Sequence, residues 1–239
     1  MDGATGRIGL GLVTTNELDH AFDRWRSAMA DALVSPDRVM AWQDRRYSFA
    51  HRLGQLLVAA PSVAGSPVTG HVVYGVYVPG GGVVYVGQTG EAQRRLRDLP
   101  VGESHHLATT VPPETWERVI VVEWPSMLPR LSEDEGRVAE QLGLSTCGLA
   151  IEYSLQLALR PVMTARRRRA DGSWTERGID ASRSRGAVAS SQLPELCGQV
   201  RRHWDALANA ELAEGDDLVS FSEVGRAVFP SRLLAGPGL

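Results

Sequence analysis

Residues 72–78 read Val-Val-Tyr-Gly-Val-Tyr-Val, residues 79–82 read Pro-Gly-Gly-Gly, and residues 83–86 read Val-Val-Tyr-Val. β-Branched and aromatic side chains suit a pleated strand, and a proline followed by three glycines suits a turn, so the pattern predicts a β-hairpin. No other stretch constrains the chain as strongly. With the turn centred on Gly81, Tyr77 falls opposite Tyr85, and strand alternation puts both phenols on one face with Gly75 and Gly87. Such a pair is either a cross-strand aromatic contact beneath the domain or two hydroxyls presented side by side.

The flanking patterns are mostly helical. Leu18, Phe22, Trp25, Met29 and Leu33 recur at spacings of three and four, predicting a helix from Thr15 that stops at Ser35-Pro36. Val39, Trp42, Phe49, Leu53 and Leu57 mark a second helix ending before Pro61, and the two resemble a helical hairpin. After the β-hairpin, Ala92, Leu96 and Leu99 mark a short helix closed by Pro100, and residues 116–124 read as a third, buried strand. Residues 133–143 and 148–160 each look helical, as do Leu193 to Leu212 and Phe221 to Val228. The expected fold class is α/β in the α+β sense, with a small, mostly antiparallel three-stranded sheet flanked by helices. The expected divisions are a helical region at 1–60 with an unstructured lead at 1–14, a linker at 61–70, the hairpin domain at 71–164, a basic segment at 165–190 and a C-terminal helical region at 191–239.

Composition narrows the chemistry. All 25 cationic side chains are arginine and lysine is absent. That removes the P-loop lysine, the Schiff-base lysine and the kinase-type ATP lysine, so no nucleotide cofactor is expected. Cys147 and Cys197 lack the CxxC spacing of a zinc or redox site and read as reduced thiols. No apolar run approaches the ~20 residues of a membrane span. The first twenty residues lack the apolar core of a signal peptide. A cytoplasmic protein with no membrane association is expected.

Four separated motifs give the reading its direction. Gly75-Val76-Tyr77 is followed by Tyr85-Val86-Gly87-Gln88-Thr89, then by a helix carrying Arg95 ten residues after Tyr85. Glu152 then stands on a predicted helix, with Pro161 nine and Thr164 twelve residues further on. In this order, over roughly residues 71–164, the motifs resemble the GIY-YIG nuclease family. The resemblance implies that Tyr77 and Tyr85 line an active site, one of them acting as general base or orienting a water. It implies that Arg95 holds the scissile phosphate and that Glu152 ligates one divalent ion, Mg²⁺ or Mn²⁺. His105, or its neighbour His106, takes the position of a further polar residue near the attacking water. Thr164 stands where the family usually carries Asn, replacing an amide by one hydroxyl.

Physical alternatives stand beside these roles. Arg95 lies four residues after Glu91, which is also the spacing of a helix-surface salt bridge. Glu152 shares a helical row with Leu155 and Leu159, so its carboxylate faces an apolar stripe and needs a cation, whether metal or arginine.

Phosphate binding needs positive charge, and segment 160–202 holds ten arginines against Asp171, Glu176, Asp180 and Glu195, a balance of +6. Arg166, Arg167, Arg168 and Arg169 directly follow the last motif and read as a flexible basic strap along a nucleic-acid backbone, with Arg94 as a further contact. Trp174 among them could stack on a base. The expected function is metal-dependent endonucleolytic hydrolysis of DNA, double-stranded, in a restriction-like or defence role. A two-fold homodimer would cut both strands, whereas a monomer would nick first. The alternative is a nucleic-acid-binding module that has lost cleavage, and behind it a structural protein whose hairpin tyrosines are core.

Overall fold

The hairpin forms as β1 (Val72–Val78) and β2 (Gly82–Thr89). Gly80 and Gly82 take positive φ at the turn, which a side chain would resist. The computed structural model describes residues 15–60, 66–102, 106–164, 166–176, 178–212 and 218–233; the expected lead at 1–14 and His105 lie outside them.

β1 pairs on its other side with β3 (Arg118–Val122). The sheet does not stop at three strands. β6 (Val219–Ser222) and β7 (Gly225–Val228) extend it to five, all antiparallel, in the order β2-β1-β3-β7-β6. The short helix expected at Phe221 to Val228 is therefore a hairpin. Its residues alternate across the sheet: Ala227 packs on one face beside Ile120, and Val228 on the other beside Val119. Glu223, exposed, and Val224, buried, turn the chain between the two strands.

Both faces of the sheet are covered. On one face, Val73, Val86, Ile120 and Val122 pack with Ile151 and Leu155 of α5 (Glu133–Leu159) and with Val200 and Trp204 of α7 (Pro194–Ala208). On the other, Val72, Tyr74, Val76 and Val121 pack with Leu53 and Leu57 of α2 (Pro36–Val58), Leu96 of α3 (Ala92–Asp98) and Leu107 of α4 (Leu107–Thr110). The two helices expected at 133–143 and 148–160 are the halves of α5, kinked at Gly143, where φ is 73°. α5 is long and apolar enough to cross a membrane by composition. Here its inner face packs on the sheet, and its first turn carries Glu135, whose carboxylate accepts the Glu195 and Leu196 N–H groups at 2.9 and 2.7 Å and so caps α7.

The chain divides into two compact units, one ending at Arg46 and the next beginning at Tyr47. The boundary falls inside α2 rather than at the 61–70 linker, because Phe49, Leu53 and Leu57 belong to the sheet's own core. In the first unit, α1 (Thr15–Ala32) and the start of α2 leave Phe22, Trp25, Met40 and Trp42 exposed, so they do not make a packed helical hairpin.

The basic segment is folded on α5. β4 (Arg166–Arg168) pairs with β5 (Trp174–Glu176) in a separate two-stranded ribbon. The chain then returns along α5 to α6 (Arg185–Ser190), held where Tyr153 Oη donates to Ile179 O at 2.9 Å and Arg160 pairs with Asp180 at 2.6 Å. The side chains of Arg166, Arg167, Arg168 and Trp174 lie outside the described residues.

Candidate active site

The hairpin register decides which tyrosines meet. Tyr77 pairs with Val83 and Val76 with Tyr85, so Val84 is an extra residue in β2, a β-bulge. Side chains alternate with a period of two, and one inserted residue turns everything beyond it to the opposite face. Tyr85 therefore leaves the face of Tyr77 and joins that of Tyr74. The expected Tyr77–Tyr85 pairing is corrected to a Tyr74–Tyr85 pair, with ring centroids 6.0 Å apart.

Tyr77 has a different task. It points to the other face, where its phenol oxygen accepts the Trp204 indole N–H at 2.7 Å. Gly75 serves the same contact, since a Cβ there would lie 2.5 Å from the Trp204 ring. Gly87 serves the tyrosine pair: a Cβ at this position would lie 2.7 Å from Tyr85 Oη and 3.0 Å from Tyr74 Oη. The two hairpin glycines thus open space on opposite faces.

α3 brings Arg95 to the pair. Its Nε donates to Tyr74 Oη at 3.1 Å. Glu91 pairs instead with Arg94, at 2.6 Å on the helix surface. The salt-bridge alternative for Arg95 thus falls to its neighbour.

α5 supplies the carboxylate around the open edge of β2. Gln156 Nε2 donates both to Glu152 Oε1, at 3.0 Å, and to Val86 O, at 3.2 Å, tying the acid to the edge strand. Burial, then the neighbouring Tyr74, then the Glu152 carboxylate push the Tyr85 phenol far above its usual pKa, with Arg95 pulling the other way. Tyr74 is also raised, by its burial, against the opposing pull of Arg95. Both phenols accordingly stay protonated at neutral pH and act as hydrogen-bond donors.

Thr164 is buried, and its hydroxyl donates to Pro161 O at 3.0 Å within its own turn. His106 is exposed at the start of α4, where its carbonyl accepts the Thr109 and Thr110 hydroxyls. Arg169 Nη2 reaches Thr175 Oγ1 across the ribbon at 3.3 Å. Sequence reasoning missed Tyr74 and Gln156. Gln156 was marked by its i+4 spacing from Glu152; Tyr74 carried no mark, because only the bulge gives it its partner.

Among the described residues no group of three or more His, Cys, Asp or Glu side chains could hold a metal ion. Compared with protein-family models, curated proteins and solved structures, the chain matches none.

Proposed function

We propose that the chain is a metal-dependent endonuclease of the GIY-YIG type, acting on double-stranded DNA in a restriction-like or defence setting. The observation that carries this reading is the meeting of Tyr85, Arg95 and Glu152, residues far apart in sequence, at one sheet edge with Tyr74 among them. Tyr74 takes the place the motif reading gave to Tyr77.

The donor set suits a hard cation. Mg²⁺ is commonly held by one or two carboxylates, with water and substrate phosphate completing its octahedron, so a lone Glu152 beside phenol hydroxyls fits where a protein-only cage would not. Bound there, Mg²⁺ or Mn²⁺ would neutralise charge developing on the leaving oxygen. Arg95 carries a permanent charge and can bond a non-bridging phosphate oxygen, while its Nε bond to Tyr74 fixes its approach. The protonated Tyr85 phenol, partly exposed, orients the attacking water or donates to the phosphate, while the fully buried Tyr74 acts through Arg95. Gln156 holds the Glu152 carboxylate in position.

One observation favours the second reading, a binding module without cleavage: the Thr164 hydroxyl is engaged by Pro161 O rather than presented to the site. Plasmid DNA incubated with Mg²⁺ or Mn²⁺ separates the two. Wild type and Tyr77→Phe are expected to cut, while Tyr85→Phe, Arg95→Ala and Glu152→Ala lose activity by roughly a hundredfold or more. DNA binding without cutting by wild type would establish the second reading. Cutting by Glu152→Ala at the wild-type rate would remove the site assignment.

A further inference from the structure

A cavity of about 560 Å³ opens beside Glu152. Its size falls within the ~300–1,000 Å³ of small-molecule sites. One wall is α5, with Leu149, Glu152 and Gln156; the other is the returning basic segment, from β5 to the start of α6. Gly186 closes the far end, seated directly on Leu149 O, where a side chain would not fit.

The lining is ordered in a way that suits one kind of occupant. Leu149 and Ile179 provide apolar walls against which a flat ring can lie. Tyr153 adds a ring whose hydroxyl is already committed to Ile179 O. Beside the Thr175, Ser182 and Ser184 hydroxyls, the returning segment brings two charges of opposite sign: the Glu176 carboxylate, which only accepts, and the Arg185 guanidinium, which only donates. Both side chains are exposed. Glu152 both lines this cavity and acts on the Tyr85 phenol, so the cavity and the tyrosine–arginine cluster share one carboxylate.

From this arrangement we infer that the cavity is a nucleotide subsite, holding the base next to the scissile phosphate and selecting for an exocyclic amine. The inference takes its substrate class from the nuclease reading. The base, turned out of the duplex stack, lies against Leu149 and Ile179, its amine donates to Glu176, and the flanking phosphate meets Arg185. Cytosine, adenine and guanine each carry an exocyclic amine, whereas thymine has only carbonyls, which would face the carboxylate unfavourably.

The test uses the full chain and free deoxynucleoside monophosphates, so that binding and cleavage are read separately. Gly178 lines the cavity with ordinary helical-side φ, and a Cβ there meets nothing closer than 4.0 Å, so Gly178→Leu fills the space without disturbing the fold. Calorimetry should show dCMP and dAMP binding about tenfold tighter than dTMP. Glu176→Ala should erase that preference, and Gly178→Leu, with an unchanged unfolding temperature, should remove binding of all three. Equal affinity for dTMP, no binding by wild type, or full binding by Gly178→Leu would each overturn the inference. Plasmid cleavage is scored alongside: base-selective binding without cleavage upholds the subsite and removes the nuclease reading, whereas cleavage with no base selectivity does the reverse.

Discussion

Gly75 and Gly87 sit twelve residues apart on one hairpin, yet alanine at each should fail in a different way. At Gly75 the new methyl would meet the Trp204 ring at 2.5 and 2.7 Å and the Tyr85 carbonyl oxygen at 2.9 Å. Trp204 is fully buried and a backbone oxygen within a paired strand cannot yield, so the strain stays in the core. Overpacking costs about 1–3 kcal/mol, and the stiffer unfolded chain returns about 0.5–1 kcal/mol, leaving a net loss of up to about 2.5 kcal/mol and centred on about 1 kcal/mol. For a unit of this size the central value lowers the unfolding temperature by about 2–4 °C. At Gly87 the methyl would press chiefly on the outer end of Tyr85, at 2.7 Å, which is partly exposed and can swing away, while the buried Tyr74 Oη at 3.0 Å need give only a few tenths of an ångström. Stability should change by less than about 0.5 kcal/mol, but the swing takes the Tyr85 phenol off Arg95 and should cost about a hundredfold in cleavage rate. Calorimetric unfolding and plasmid cleavage measured on both variants test the pair. If Gly87→Ala unfolds as early as Gly75→Ala while cutting normally, the assignment of the two faces is wrong.

Removing the Glu135 carboxylate, as in Glu135→Ala, leaves two N–H groups of α7 without their acceptor and should destabilise the fold by about 1–3 kcal/mol in urea unfolding. Burial lifts the Cys197 thiol from 9.0 to about 11. Its proton is held more tightly in the folded state, so its stabilising effect is complete below pH 9, declines from there, and is lost as pH rises through about 11. Cys197→Ala should flatten that alkaline decline by an amount on the order of 2 kcal/mol in unfolding followed against pH. Replacing Arg166 to Arg169 together should weaken DNA binding across all sequences and make its salt dependence shallower, by titration at several salt concentrations; an unchanged slope would exclude the ribbon from phosphate contact.

Much of the architecture was legible because it is written in local periodicity. The β1–β2 hairpin, β3, α3 and both halves of α5 follow from strand or helix spacing, whereas Arg95 and Glu152 could be named only because the order of motifs resembles that of the GIY-YIG family. The strands β6 and β7 were not legible: Phe221 to Val228 is too short and too mixed for its period to show, and it becomes strand by adding to the free edge of β3. The basic segment looked free because glycine, serine and charge suit a solvated strap. Its order comes from contacts with α5 that begin at Tyr153 and Arg160.

What the sequence alone determined is the order of parts: a glycine-turned hairpin, an arginine helix, a buried strand, two helical stretches with Glu152 on the second, and arginines concentrated after them. What only the tertiary structure decided is which tyrosine joins them. Val83 and Val84 are both apolar and either can face a core, so the composition of β2 does not show which residue is left unpaired. The answer is set by packing on both sides of the sheet, Trp204 against Gly75 on one face and Tyr74 with Arg95 on the other. A single extra residue, Val84, satisfies both, and by reversing the parity of β2 it places Tyr85 beside Tyr74 instead of Tyr77.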